Sequence, residues 1–230
     1  MKQIYRIKAG SHLYGTNTNE SDIDIRGVLL PTIEECIGLR ELNDIRNTDK
    51  DKNIETVMHP INKFLKLAMK CNPNILEWLF APKECVELVE LEFVAVLDNK
   101  NLFLSKEIFH RFKGYAWQEF SSLTKLTGKT GEKRKKQIRH FGYSPKNAMN
   151  VIRLLEQGIE LLNEKCITLP RPNADKLLKI KNGELNYSEI VREFDSLINK
   201  IEKAYNKTDL PKDTDFEKIN NMMIDIIMNQ

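Results

Sequence analysis

The chain has 230 residues, 41% apolar and 30% charged, enough for one substantial core or two small ones and too apolar for disorder to be the default. Its net charge of +3 permits an anionic partner without demanding one. Cys36, Cys71, Cys85 and Cys166 form no CxxC pair, the opening MKQIYRIKAGS has no signal-like apolar core, and no run of roughly 18 apolar residues occurs, which argues against a zinc site, a disulfide framework and a membrane span and for a cytoplasmic chain with free thiols.

In chain order, Ile4 to Ile7 is a short alternating run that ends at Ala9-Gly10. Ile23 to Leu30, stopped by Pro31, is a second strand, and Ile54 to His59 a third, after the polar stretch from Asn47 to Asn53. Pro60 suits the first turn of a helix through Lys70, with Phe64, Leu65, Ala68 and Met69 as its apolar stripe. Asn72-Pro73 breaks that helix, and Ile75 to Phe80 begins another. Residues 105–126 read as a helix, and Ser144-Pro145 is a cap and first turn for one reaching about Asn163. Ser188 is expected to cap a helix with Ile190, Phe194, Leu197 and Ile201 inward; Asp213 or Thr214 should start the last, with Ile219, Met223, Ile226 and Ile227 inward. Strands first and helices later predict an α+β chain, with a sheet domain over residues 1–95 and a helical domain over residues 96–230.

Asp22-Ile23-Asp24-Ile25 lies where the second strand begins. A strand sends alternate side chains to one face, so Asp22 and Asp24 project together while Ile23 and Ile25 can enter the core. Two such carboxylates repel unless a cation lies between them, and magnesium accepts carboxylate and phosphate oxygens. A bare Asp-x-Asp also fits a solvated strand edge. Upstream, Gly10-Ser11 follows the first strand where a backbone can approach a ligand, and Gly15-Thr16 adds a second small, donor-rich spot.

The segment GSHLYGTNTNESDIDIRGV, residues 10–28, resembles the active-site motif of the DNA polymerase beta superfamily of nucleotidyltransferases. It is closest to the polymerase-beta-like family associated with RNA repair (RlaP, YcgL-like), with His12 where that family has Arg. FLKLAMKCNPNILEWLF, residues 64–80, resembles its helix-Asn-Pro-Asn-helix segment; YSPKNAMNVIRLL, residues 143–155, resembles its later Lys-and-Arg helix, with Asn150 in place of His. The resemblance implies a nucleotidyltransferase-fold mixed sheet with flanking helices and a third metal-binding carboxylate on a neighbouring strand. Glu55 is the choice among Asp44, Asp49, Asp51 and Glu55, because it opens the strand-like run before the helix. A surface glutamate on an edge strand is the plainer alternative.

The resemblance further implies two magnesium ions (manganese as an alternative) on Asp22, Asp24 and Glu55, and an NTP whose phosphates meet Gly10, Ser11, Gly15, Thr16 and Ser21. The NTP would lie between the sheet and helical domains, with Lys146 and Arg153 reaching its triphosphate. A nucleoside monophosphate would pass to an acceptor hydroxyl, with RNA such as a tRNA end as the leading acceptor. A protein side chain, a small molecule such as an aminoglycoside, or an inactive nucleotide- or RNA-binding module are the alternatives. Arg26 shares the Asp24 face and is expected either to meet phosphate or to pair with a carboxylate; His59 shares the Glu55 face and reads as structural. Lys146, Asn150, Arg153 and Gln157 form one polar stripe, which without the resemblance is a solvated face. The run from Lys129 to Arg139, with six basic residues and one acid, is expected to be exposed and to offer a nucleic-acid backbone a charged surface.

Overall fold

Alternating apolar and polar residues draw the first part of the chain into a sheet. This computed structural model describes residues 1–39, 41–126 and 131–230, Lys133 by its backbone only. Its five strands are β1 (Lys2–Ala9), β2 (Ile23–Leu30), β3 (Ile45–Asp49), β4 (Ile54–Pro60) and β5 (Val86–Val89). Their order across the sheet is β3-β4-β2-β1-β5. The β2–β4 pair is parallel and the other pairs are antiparallel. The sheet is therefore mixed. β3 and β5 are short edge strands that were not foreseen: IRNTD in β3 is almost wholly exposed, so burial imposes no alternation there.

On one face of β2, Ile25 and Leu29 are buried with Met58 of β4, and Ile23 and Ile54 pack against them. The opposite face carries Asp24 and Arg26. Helices α1 (Ser11–Tyr14), α2 (Ile33–Ile37), α3 (Ile61–Met69), α4 (Pro73–Leu76) and α5 (Leu91–Asp98) complete this part. Only the first turn of the segment from Ile75 to Phe80 is α-helical; Glu77–Phe80 tightens to a 3-10 turn. The core is aromatic: Tyr5 stacks on Phe93 at 4.2 Å, and Phe64 meets both Phe93 and Trp78.

The chain forms two compact units. The first is Met1–Ser105 with Leu169–Arg171 and Pro211–Gln230; the second is Lys106–Thr168 with Pro172–Leu210. This differs from a cut at residue 95 in three ways. The sheet unit extends ten residues further, it includes Leu169–Arg171, and it takes back the last helix, α11 (Phe216–Met228). The reason is burial: α11 sets Ile219, Ile226 and Ile227 inward and packs on α3 and α5.

The second unit contains α6 (Glu107–Ser121), α7 (Glu132–Phe141), α8 (Pro145–Glu164), α9 (Ala174–Lys181) and α10 (Tyr187–Lys207). α8 packs on α6, α9 and α10, and Phe120 stacks on Phe194 at 3.8 Å. Among the described residues no helix is long and apolar enough to cross a membrane.

Two helix starts differ from expectation. α10 is capped by Asn186, whose side chain accepts from Glu189 N while Glu189 reaches back to the Asn186 amide, a reciprocal capping box. Ser188 lies inside the first turn and donates to Asn186 Oδ1 at 2.6 Å. α11 is capped by Asp215 rather than Asp213 or Thr214. Asn186→Ala is therefore expected to lower stability by about 1 kcal/mol, and Ser188→Ala by clearly less; urea midpoints of the two variants check the order.

Candidate active site

The site is built by strand register. β1 ends at Ala9, which pairs with Asp24 on β2; on the other side Asp24 pairs with Glu55 on β4. One row of the sheet therefore carries the end of β1, Asp24 and Glu55. Gly10 turns the chain out of this row with φ 61° and ψ −135°. A Cβ built on Gly10 would lie 2.1 Å from Asp24 Oδ2, so the Asp24 carboxylate packs directly over the Gly10 backbone, and glycine is required both by space and by backbone angle.

After Gly10, α1 runs for one turn and ends on Gly15 in the left-handed conformation, φ 71°. Ser11 is its first residue; its carbonyl accepts from Thr16 N at 2.9 Å, and Thr16 is buried. Ser21 folds back on its own loop: its Oγ accepts from Thr18 N at 2.9 Å. Asp22 is exposed, and its Oδ1 accepts from Asn53 Nδ2.

Arg26 is the local counter-ion. Its Nη2 is 2.8 Å from Asp24 Oδ1 and 3.2 Å from Glu55 Oε1, and Nη1 donates to the Ile25 and Glu55 carbonyls. Arg26 thus offsets the repulsion between two carboxylates placed side by side by register.

Asp24, Arg26 and Glu55 open on a cavity of about 370 Å³. Its lining also includes Gly10, Arg46 of β3, His59 of β4, and Asn72, Asn74, Glu77 and Trp78 from the segment after α3. Glu77 is buried and accepts from Tyr14 Oη at 2.6 Å. His59 is 8% exposed, stacks on Trp78 with centroids 5.5 Å apart, and shares a 2.7 Å hydrogen bond between Nδ1 and Asp44 Oδ1. Asp44 also takes Lys63 Nζ at 2.8 Å and Arg46 Nη2 at 3.1 Å.

Burial alone would raise the Asp44 pKa, but hydrogen bonds from Lys63 and His59, the His59 charge and the Arg46 contact outweigh it and hold it at about 2, below its ordinary 3.8. A carboxylate whose folded pKa is depressed stabilises the fold above its unfolded pKa, and that stability disappears as pH falls through the folded value. Asp44, with a side chain only 9% exposed, is expected to contribute roughly 2 kcal/mol at neutral pH, lost between about pH 4 and pH 2. Urea denaturation of wild type and Asp44→Asn at pH 7, 4 and 2.5 checks this, since the gap between them should close with acid.

The sequence pattern of the RNA repair pathway DNA polymerase beta family (RlaP) matches residues 1–225. The chain belongs to this family. It is 30% identical over 131 residues to an uncharacterized 38.9 kDa protein encoded in the nrdC-mobD intergenic region of enterobacteria phage T4, and 28% identical over 79 residues to the uncharacterized protein YcgL of Bacillus subtilis strain 168. These stretches cover 53% and 34% of this chain, and the chain spans only 38% and 30% of the length of those relatives. A nucleotidyltransferase-like protein from Exiguobacterium sibiricum 255-15 is similar over 89% of this chain and 69% of its own, with 8% identity and a TM-score of 0.31.

In this RlaP chain the structure gathers only part of the expected residue set. Gly10, Asp24 and Glu55 line the cavity; Ser11, Gly15, Thr16, Ser21 and Asp22 are not among its lining residues. Lys146 and Arg153 lie on α8, in the second unit. Lys146 is exposed, but Arg153 and Gln157 are buried and hydrogen-bonded at 2.9 Å. That part of the polar stripe is therefore not a solvated face; the i, i+4 spacing brings Arg153 Nη1 onto Gln157 Oε1 inside the unit. Asp44, one of the rivals for third carboxylate, is held by Lys63, Arg46 and His59.

Arg46, Asn74, Glu77 and Trp78 were not foreseen as site residues. For three of them a signal existed: residues 72–78 sit inside the Asn-Pro-Asn segment of the family, and that segment forms a wall of the cavity.

Asp22, Asp24 and Glu55 suit magnesium in donor chemistry, and Asp24 and Glu55 also in backbone register. As placed, no three His, Cys, Asp or Glu side chains among the described residues converge on one point, because Arg26 lies between Asp24 and Glu55 and Asp22 is turned to Asn53.

Proposed function

We propose that this chain moves a nucleoside monophosphate from an NTP to an acceptor hydroxyl, with a divalent metal and release of pyrophosphate, and that the acceptor is RNA. The reading is carried by one observation: Asp24 and Glu55 stand in register on parallel strands, with Gly10 under Asp24, at the mouth of a polar cavity.

Asp22, Asp24 and Glu55 would hold the metal, which supplies charge neutralisation at the phosphates and acidifies the attacking hydroxyl. Glu55, 52% exposed at its side chain, takes the hydroxyl proton. The acceptor oxygen then bonds the α-phosphorus as the bond to the bridging oxygen breaks, and the electron pair leaves with pyrophosphate. Arg26, at the cavity, presents a guanidinium suited to phosphate oxygens once the triphosphate competes for it. Gly10, with no side chain, lets the Asp24 carboxylate lie against the backbone at the mouth of the cavity.

The RNA acceptor is supported by the family's connection with RNA repair and by the basic helix α7. Lys136 and Arg139 there are exposed. Arg134 is turned inward, donating to Ser122 O at 2.5 Å, and Lys135 pairs with Glu132 at 2.7 Å, so the surface offered to a backbone is narrower than six basic residues. Lys129 lies outside the described residues.

The test is incubation with each α-labelled NTP, magnesium, and either total RNA or total protein. Label in RNA, removed by ribonuclease, is expected. Label in protein would move the acceptor to a side chain, and label in neither would sink the transferase reading.

A further inference from the structure

We infer that the far end of the cavity is a nucleoside subsite in which His59, oriented by Asp44 and Trp78, makes the contact that sets affinity for the nucleoside half of the NTP. This rests on the nucleotidyl-transfer reading of the same cavity.

β4 directs Glu55, Val57 and His59 to one face. His59 lies four residues beyond Glu55, about 13 Å along the strand. That is too far for proton exchange with a group held at Asp24 and Glu55, while all three residues line the same cavity.

The ring is fixed on two sides. Its Nδ1 is 2.7 Å from Asp44 Oδ1; an ionised carboxylate only accepts, so Nδ1 carries the proton and Nε2 is left for a ligand. Its plane lies within 11° of Trp78, which is packed in turn on Phe64. Charge balance does not require a histidine here, because Lys63 and Arg46 already meet Asp44. The wall beside it carries amides: Asn72 accepts from Asn74 N at 3.1 Å, and both residues line the cavity together with Arg46 and Glu77. The amides and the His59 edge suit the polar groups of a nucleoside.

The experiment is equilibrium binding of the four α,β-methylene NTP analogues and of tripolyphosphate, with magnesium, to wild type, His59→Ala, His59→Gln and Asp24→Asn. His59→Ala should weaken the analogues about tenfold, the scale of one lost hydrogen bond with its packing, and leave tripolyphosphate binding unchanged. In turnover the loss should fall on KM rather than kcat. A loss uniform over the four bases places the contact on the ribose, and a base-dependent loss places it on the base; either supports the inference. His59→Gln keeps a hydrogen-bonding side chain and should lose less, which keeps the comparison open if the alanine variant does not fold. Unchanged affinity for all four analogues in both His59 variants overturns the subsite, and so does an equal loss for tripolyphosphate. In those cases a dead Asp24→Asn enzyme still leaves nucleotidyl transfer standing. Wild type binding neither analogues nor tripolyphosphate overturns both.

Discussion

Asp24→Asn is expected to reduce label transfer at least about a thousandfold, because it removes charge that neutralises several kcal/mol of phosphate repulsion in the transition state, and each 1.36 kcal/mol is tenfold in rate. The thermal midpoint should move little. The Asp24 side chain is 28% exposed, and its bond to Arg26 is of a kind that contributes about 1 kcal/mol or less at a surface. Arg26 also keeps Glu55 as a partner. Steady-state transfer and a melting curve on the same sample separate the two effects; a variant that melts normally and turns over normally would remove Asp24 from the chemistry. Glu55→Gln should be milder at the binding step, since Asp22 and Asp24 remain, and severe at the proton-transfer step, so its defect should appear in kcat.

Gly10→Ala is expected to damage both fold and activity. A φ of 61° costs an alanine about 1–2 kcal/mol, and the new methyl would stand 2.1 Å from Asp24 Oδ2, closer than any non-bonded contact. Either the Gly10 turn or the Asp24 carboxylate must move. Stability should fall by about 2 kcal/mol or more, and turnover by about a hundredfold or more from misplacement of the reacting groups. The control is Gly114→Ala in α6, where a Cβ meets nothing within 4 Å. That change should stabilise by roughly 0.5–1 kcal/mol, the helix preference of alanine over glycine. Urea curves on the two variants should therefore move in opposite directions.

The part of the cavity formed by Gly10, Asp24 and Arg26 could be read from residues 10–28, because its features are local. The alternation of Asp22-Ile23-Asp24-Ile25 follows from the two-residue strand period, and Ile25 is buried while Asp24 faces the cavity. The Gly-Ser turn follows the end of β1, and Pro60 stands at the start of α3. The start of α10 was legible in principle, since Asn186 is followed three residues later by Glu189, the spacing of a capping box; Ser188 has the right chemistry but no acid at that spacing. β3 was not legible, because its exposed polar residues carry no periodic signal and it exists only by pairing with β4.

The sequence by itself determined the local chemistry of this protein: which strand bears Asp24, where glycine must stand, and which long helices hide one apolar face. Backbone sterics and side-chain period decide these within a few residues. Only the tertiary structure decided the rest. Glu55 stands beside Asp24 because β2 and β4 pair in parallel register across thirty-one positions of chain. Asp44 reaches His59, Lys63 and Arg46 through the β3–β4 hairpin. The Asn-Pro-Asn segment meets the carboxylate face only when α3 brings it back to the sheet, and α11 rejoins the first unit after the whole second unit has intervened. Such contacts depend on how buried surfaces find one another, and no window of neighbouring residues records that.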